Sequence, residues 1–381
     1  MTSEVFDFVV GGGSVAGLSF AAEAAKRGAS VLVAEEHDEI GEPEKCDGLV
    51  SLRGLRRWGH PPRPGVVQNE IAAAVIHTPG GRRFAVSSAS LEVVVLDRSA
   101  YDRQLAGEAE AAGAEIRTGV RVKGVAQSLE GVSLRVGDDT VASRFYVDAT
   151  GPSPSHRTGI IPAAKYEVQG DWVSQRLVDV YLDSEKYPGF FGWIIPYGGH
   201  RAKVGVAGRG VNAYTALDQL IGTRQTTVLR KVSAPIYVGG PTGRFVDGRT
   251  IYVGESAGEV KPTTAGGITT SIAGSVLAAR WASEALQRKD ASLLANYRRE
   301  WESIFQKEMN AMQRIRGVFE KLSNKDIEAL TDVLATPRLV SKLSSSDFDF
   351  HASALLGALG IHGVLRMAKV VGSAEVRSLI G

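Results

Sequence analysis

The sequence predicts an α/β protein: a βαβ domain assembled from distant stretches of chain, an inserted antiparallel sheet and a helical C-terminal region. Three observations support this. The stretch 6–35, FDFVVGGGSVAGLSFAAEAAKRGASVLVAE, reads as strand, glycine turn, small-residue helix, strand and acid. A second apolar strand, IYVGE at 251–255, returns late in the chain and leads into a glycine-rich turn and another small-residue helix. Between them, residues 166–238 are strand-like, with turns and no glycine fingerprint.

The first stretch has the spacing of a Rossmann-like dinucleotide-binding unit. A pyrophosphate sits on a helix N-terminus only where the backbone can approach it, so the turn must carry small side chains. Counting back from Glu35, Gly12 takes the place of the first fingerprint glycine, Ser14 the second and Gly17 the third. Gly13 and Ala16 keep the remaining positions small, and the Ser14 hydroxyl can add a phosphate hydrogen bond. Glu35, ending the second strand, can accept hydrogen bonds from both ribose hydroxyls of an adenosine.

The other elements follow in order. Helix 15–27 stops at Gly28, and strand 30–34 runs to Glu35. Gly41, Pro43 and Gly48 mark a loop, 50–58 a short helix, and His60–Gly65 a stiff connector. Strands are expected at 71–77, 82–86 and 92–96, then a helix at 99–112 opened by Asp97-Arg98-Ser99. Residues 120–126, 132–136 and 141–148 read as a β-meander ending in Tyr-Val-Asp-Ala-Thr-Gly. A long helix is expected at about 263–286, and helices from 295 to the end. The expected division is 1–58, 93–160 and 247–294 for the dinucleotide domain, 59–92 and 161–246 for the sheet domain, and 295–381 for the helical region.

Composition narrows the function. A chain of 381 residues with net charge +2 has no global field calling for nucleic acid. Arg53, Arg56, Arg57 and Arg63 cluster in sequence and read as a solvated face. One cysteine excludes an internal disulfide and fits a reducing compartment. The first strand begins almost at once, so no leader is expected, and no apolar run is long enough for a simple spanning helix. These features point to a cytoplasmic protein.

Three further segments point to a flavin. Arg98 opens a helix after a strand, where it can reach a phosphate or a flavin edge. Val147–Gly151 is small enough for the chain to pass close to a dinucleotide. In VGESAGEVKPTTAGGITTSIAGSVLAA, Glu255 can hold a ribityl hydroxyl, and Pro262–Gly267 lead into a helix whose N-terminus can favour an anionic reduced ring. With the discontinuous strands, these segments resemble the FAD-binding fold of the aromatic hydroxylase type. That resemblance implies FAD as cofactor, with contacts from Gly12, Gly13, Ser14, Ala16, Gly17, Glu35, Glu36, Cys46, Asp47 and Gly48. It adds Arg98, Val122, Gly151, Glu255, Gly258, Gly266, Gly267 and Ile268.

Two stretches narrow the resemblance. GEPEKCDGL resembles the cysteine loop of the geranylgeranyl reductase family, and Pro188–Pro196, PGFFGWIIP, resembles its Tyr-x-Trp-x-Phe-Pro motif. Phe191 takes the tyrosine place, Trp193 is kept, and Ile195 replaces the phenylalanine. The segment 254–268 looks most like archaeal members, which act on digeranylgeranylglycerophospholipids. The resemblance implies hydride transfer from reduced flavin to an isolated alkene plus protonation, with Phe191, Trp193 and Pro196 at the substrate and Cys46 as the candidate proton donor. It also implies a prenylated lipid substrate, a ferredoxin-type protein or NADPH as electron donor, and peripheral contact with a membrane. The apolar stretch 352–372, broken by His362, Arg366 and Lys369, can lie at that interface or pack as an ordinary helix pair. Phe-x-Trp-x-Ile-Pro is also close to the motif of flavin-dependent halogenases, so a halogenase or monooxygenase acting on a small aromatic is the alternative. A halogenase calls for a catalytic lysine at the end of an early strand, and none stands between Lys45 and Lys123. A third possibility, an electron-transfer partner, would bring an iron–sulfur site that one cysteine cannot hold.

Overall fold

The computed structural model describes residues 5–357, apart from 89, 91, 153, 234 and 354. The chain begins with β1 (Val5–Gly11), α1 (Val15–Lys26), β2 (Val31–Ala34), β3 (Leu49–Ser51) and α2 (Leu52–Arg57). Next come β4 (Val67–Glu70), β5 (Ala73–His77), β6 (Arg83–Ser87), β7 (Val93–Leu96) and α3 (Arg98–Ala111). Strands β8 (Glu115–Arg117), β9 (Val122–Gln127), β10 (Val132–Val136), β11 (Asp139–Asp148), β12 (Ile160–Ile161) and β13 (Ala163–Gln169) follow. Then come β14 (Leu177–Tyr181), β15 (Gly192–Gly198), β16 (Arg201–Ala207), α4 (Ala213–Ile221), β17 (Thr227–Ser233), β18 (Ile236–Tyr237), β19 (Val246–Asp247) and β20 (Thr250–Tyr252). The helices α5 (Ile268–Arg288), α6 (Ala295–Phe319), α7 (Asn324–Leu334) and α8 (Pro337–Ser345) complete it.

The first sheet is the discontinuous one. Its order is β19-β20-β11-β1-β2-β8, with the β9–β10 hairpin on β11. β1 runs parallel to both β2 and β11, with Val10 opposite Val33 and Val147, and β20 runs parallel to β11. Strands from the start, middle and late chain therefore lie side by side, and the loops at their C-terminal ends converge. Alanines of α1 and α5 are fully buried against one another, which lets the two helices pack closely. Trp301 packs its ring at a tilt on Phe245 and Phe305, with centroids 5.0 and 5.2 Å away, and fixes α6 on the same core.

The second sheet, β17-β13-β16-β15-β14-β5-β6, is antiparallel except where β14 meets β5. One face packs on α4, whose first turn is capped by Asn212 accepting from the Tyr214 and Thr215 amides. The other face turns toward the first domain. Residues 59–92 are divided: β5 and β6 extend this sheet, while β4 joins β3 and β7 in a separate three-stranded sheet.

One boundary and one element differ from expectation for identifiable reasons. Helix α5 starts at Ile268, because residues 261–267 close a turn of their own: the Lys261 amide donates to Gly266 O at 3.0 Å, and Ala265 adopts a left-handed conformation (φ 55°). Helix α4 was hidden by strand-like residues on either side of it. Most of the 352–372 stretch lies outside the described residues. Among the described residues, no helix is long and apolar enough to cross a membrane.

Candidate functional site

The glycine turn after β1 is built for a close approach. Gly12 has φ 104°, and a Cβ there would lie 2.4 Å from the Ala149 carbonyl oxygen. A Cβ on Gly17 would lie 1.9 Å from Gly12 O, so Gly17 is what lets α1 begin against the turn. Glu35 closes the turn from the side: its Oε2 accepts from the Gly13 amide at 2.6 Å and its Oε1 from the His37 amide at 2.9 Å. His37 Nδ1 also contacts Oε1, at 2.5 Å, so Oε2 is the oxygen that keeps a second lone pair for a sugar hydroxyl. No side chain caps α1, and its first turn carries no acid, so its leading amides face outward as an anion site. Ser14 is exposed at that N-terminus, but its hydroxyl donates to Asp102 Oδ2 at 3.1 Å. Ala16 packs beneath Gly254, joining the first fingerprint to the late one.

Arg98 stands over this turn. It is buried, and Nη2 contacts both Asp102 oxygens, at 2.9 and 3.2 Å, while Nε is buried without a hydrogen-bond partner. Burial opposes its charge, but Asp102 and the adjacent Cys46 thiol outweigh that, so the guanidinium stays firmly protonated. Glu255 lies across from it, exposed within the cleft. Enclosure by the surrounding protein raises its carboxyl above the usual range, with Arg98 acting in the opposite direction. Beyond it, Gly266 and Gly267 lead into the uncapped N-terminus of α5, where no acidic side chain occupies the first turn and Thr269 Oγ1 is buried without a partner. Ile268 is buried there, and Gly258 (φ 76°) lies so close to Gly240 O that a Cβ would be at 2.2 Å.

The cysteine loop 41–48 is tied on two sides. Ser99 Oγ bonds Gly41 O and Glu42 Oε1, each at 2.8 Å, and the Leu96 amide bonds Gly48 O. From the other side come two lysines of the second sheet, both almost fully buried. Lys165 Nζ donates to Cys46 O at 3.0 Å and lies 3.2 Å from Asp47 Oδ1. Lys203 Nζ reaches Glu44 Oε1 and Asp47 O. Trp193 Nε1 completes the clamp on Asp47 Oδ2 at 2.7 Å. The loop therefore bridges the two sheets, and the Cys46 side chain is exposed beside Arg98.

The sheet register explains why these residues meet. Trp193 pairs with Gly205 and Gly205 with Lys165, so the three share one face, and the indole lies flat where Gly205 has no side chain. Ile195, Lys203 and Glu167 form the next row on that face. Phe191 stacks on Phe190 at 4.1 Å and meets Trp193 edge-on at 5.9 Å, and both pack against a cluster that Ala265 also joins. Pro196 alternates to the opposite face beside Ala202, with its carbonyl bonded to Asn69, so it does not line this cleft.

Other expected residues are more peripheral. Glu36 is exposed and pairs with Arg121 at 3.1 Å. Val122 begins the β9 hairpin strand, whereas it is the Val120 amide that bonds Glu35 O. Gly151 (φ 91°) is held by Ser256, whose hydroxyl receives the Gly151 amide and donates toward Asp148. Lys165 and Lys203 do not stand out in the sequence, because a lysine alternating with apolar residues looks like a solvent-facing strand position. Nor does Glu259, fully buried beneath the Glu255 turn, where it accepts from the Gly254 amide at 2.6 Å and Tyr297 OH at 2.8 Å. Burial pushes its carboxyl up to about 8.

The residues fit a flavin dinucleotide: a ribose acceptor at Glu35, open amides at α1, the orphaned Arg98 Nε and free Glu255 between, and an uncapped helix end at α5. No family model matches the chain. It is similar to digeranylgeranylglycerophospholipid reductase 2 of Methanopyrus kandleri, 31% identical over 361 residues covering 86% of this chain and 90% of that one. It is also 31% identical to digeranylgeranylglycerophospholipid reductase 2 of Methanothermobacter thermautotrophicus, over 89% of this chain and 94% of the relative. Among solved structures it resembles a geranylgeranyl bacteriochlorophyll reductase-like protein of Thermoplasma acidophilum, with TM-score 0.86, 23% identity and coverage of 96% and 98%. A flavin-dependent brominase shares the fold at TM-score 0.68 and 16% identity, with coverage of 99% and 98%.

Proposed function

The chain belongs to the digeranylgeranylglycerophospholipid reductase family, and we propose that it saturates isolated double bonds of geranylgeranyl chains on glycerophospholipids, with FAD as its cofactor. The observation that carries this reading is the placement of Cys46. Lys165, Lys203, Trp193 and Ser99 hold its loop rigidly between the glycine turn and the aromatic face of the second sheet, and the thiol is left in the cleft beside Arg98.

Within this reading the β1–α1 turn and Glu35 hold the adenosine and pyrophosphate, Arg98 and Glu255 the middle of the cofactor, and the α5 N-terminus its ring. Reduced FAD, when bound, would supply the hydride for one alkene carbon. The residues of this chain account for the rest. An isolated alkene has no carbonyl to polarise, so positive charge develops on the carbon that will receive the hydride as its neighbour takes the proton. The faces of Phe191 and Trp193 stabilise that charge. Ile195 and the buried rows around it exclude water, which protects the reduced state. Cys46 Sγ holds the proton delivered to the second carbon, and Arg98 stabilises the sulfur left behind. One alkene, one hydride and one proton give one saturated bond.

Electrons enter from NADPH or from a ferredoxin-type protein, and the lipid is presented by a membrane to which the enzyme binds peripherally. In this reading the segments 59–92 and 161–246 serve the lipid, and the first, third and fifth segments serve the cofactor. The halogenase alternative calls for a free lysine in the cleft, whereas Lys165 and Lys203 are both engaged by the cysteine loop. The experiment is to denature freshly purified protein and identify the released flavin and the extracted lipid by mass spectrometry. FAD and geranylgeranyl lipids are expected; FMN, or no flavin, contradicts the reading.

A further inference from the structure

A cavity of about 600 Å³ opens beside the cleft, and the mechanism above makes no use of it. The two share the Gly254–Ser256 turn: Ser256 lies in the cavity wall and Glu255 in the cleft. Three arginines from separate parts of the chain line the cavity: Arg209 after β16, Arg244 before β19 and Arg316 on α6. We propose that this cavity binds a phosphate-bearing ligand, with Arg209 and Arg316 as the anion-binding pair.

The charge arrangement supports this. Arg209 Nη2 lies 3.2 Å from Glu320 Oε1, and Arg316 Nη2 contacts the same oxygen at 2.5 Å. Two guanidiniums on one carboxylate leave one positive charge uncompensated. Arg316 is largely buried; burial, together with Arg209, disfavours its charge despite Glu320, a strain that an incoming anion relieves. The one other carboxylate of the cavity wall, Asp148, already accepts from the Thr150 amide and hydroxyl and from Ser256. Planar guanidinium forks that converge in this way match the oxygens of a phosphate.

The shape gives an independent indication. Gly317 sits inside α6 on the cavity wall, and a Cβ built there meets nothing within 4 Å. It does not have the left-handed backbone that would require glycine. A glycine within a helix costs about 1 kcal/mol relative to alanine, and packing gives no reason for it here. The space it leaves is open to a ligand. The cavity wall also packs against the reaction site: Arg316 donates to Pro262 O at 3.3 Å and lies 5.7 Å from the Phe190 ring, which stacks on Phe191.

Two sources offer that chemistry, a nicotinamide dinucleotide donor and the headgroup of the lipid substrate; the identity of the ligand, unlike the existence of the site, rests on the function proposed above. The test is calorimetric titration of FAD-loaded full-length protein with pyrophosphate, NADP⁺ and dihexanoyl phosphatidic acid. Wild type is expected to bind pyrophosphate together with one of the other two. Arg209→Gln removes one fork at a half-exposed position, and Gly317→Leu fills the space while improving helix propensity; each is expected to weaken binding roughly tenfold or more. Tighter NADP⁺ than phosphatidic acid assigns the cavity to the donor, and the reverse order assigns it to the headgroup. No binding of any probe by wild type, or unchanged affinity in both folded variants, overturns the proposal. Alkene reduction driven by dithionite, measured in parallel, reports on the proposed function separately, because it needs no nicotinamide.

Discussion

The clamp on the cysteine loop makes a quantitative prediction through Lys203→Met. Lys203 is 2% exposed and the Glu44 side chain 13%, so the ion pair is shielded from water. Methionine fills a similar volume but leaves the Glu44 carboxylate without its cation and Asp47 O without its donor. Breaking a buried pair from one side typically costs ~3–5 kcal/mol. Glu44 keeps some access to water, so the lower end of that range is expected. Adding Glu44→Gln removes the stranded charge, and the double variant should recover most of the loss, short of about 1 kcal/mol for the lost bond to Asp47 O. The assay is chemical denaturation of the single variants and the pair, with flavin content measured on the same samples. A Lys203→Met protein as stable as wild type, or a double variant no better than the single one, would refute the idea that this pair fixes the loop.

Three further outcomes are expected. Glu35→Ala should weaken FAD binding by roughly 1–3 kcal/mol, read by flavin titration of apoprotein, since it removes the partner of the Gly13 amide and of the ribose. Cys46→Ala should be reduced by dithionite to the same flavin state as wild type, yet saturate pre-bound lipid ~100- to 10,000-fold more slowly; wild-type single-turnover rates would remove Cys46 from the mechanism. Glu259→Gln should gain stability relative to wild type as pH rises. The folded carboxyl keeps its proton to about 8, while the unfolded one loses it near 4.5, so the wild type is penalised progressively between those values and the glutamine is not. A stability difference that does not change across that window contradicts the assignment.

The parts legible in the sequence are those written locally. The β1–α1–β2 unit, Glu35 at its end and the strand–turn–helix around Glu255 follow from spacing alone. So does the face of β15: Phe191, Trp193 and Ile195 alternate with Gly192, Ile194 and Pro196, and that alternation places Pro196 on the far side, although a motif read as one block hides it. Lys165 and Lys203 were illegible for a different reason. A buried lysine is recognisable only by its partner, and Glu44 and Asp47 lie more than a hundred residues away in sequence. The same holds for Glu259, whose burial depends on α5 presenting Gly274 to it: a Cβ there would lie 1.8 Å from Glu259 Oε1.

The most direct test of the central claim is a single reaction. FAD-loaded protein, reduced with dithionite under anaerobic conditions, is mixed with digeranylgeranylglycerophospholipid, and the lipid is extracted and weighed by mass spectrometry. Products heavier by one hydrogen molecule for every double bond saturated are expected, with the flavin reoxidised in step. Flavin that stays reduced beside unchanged lipid would contradict it.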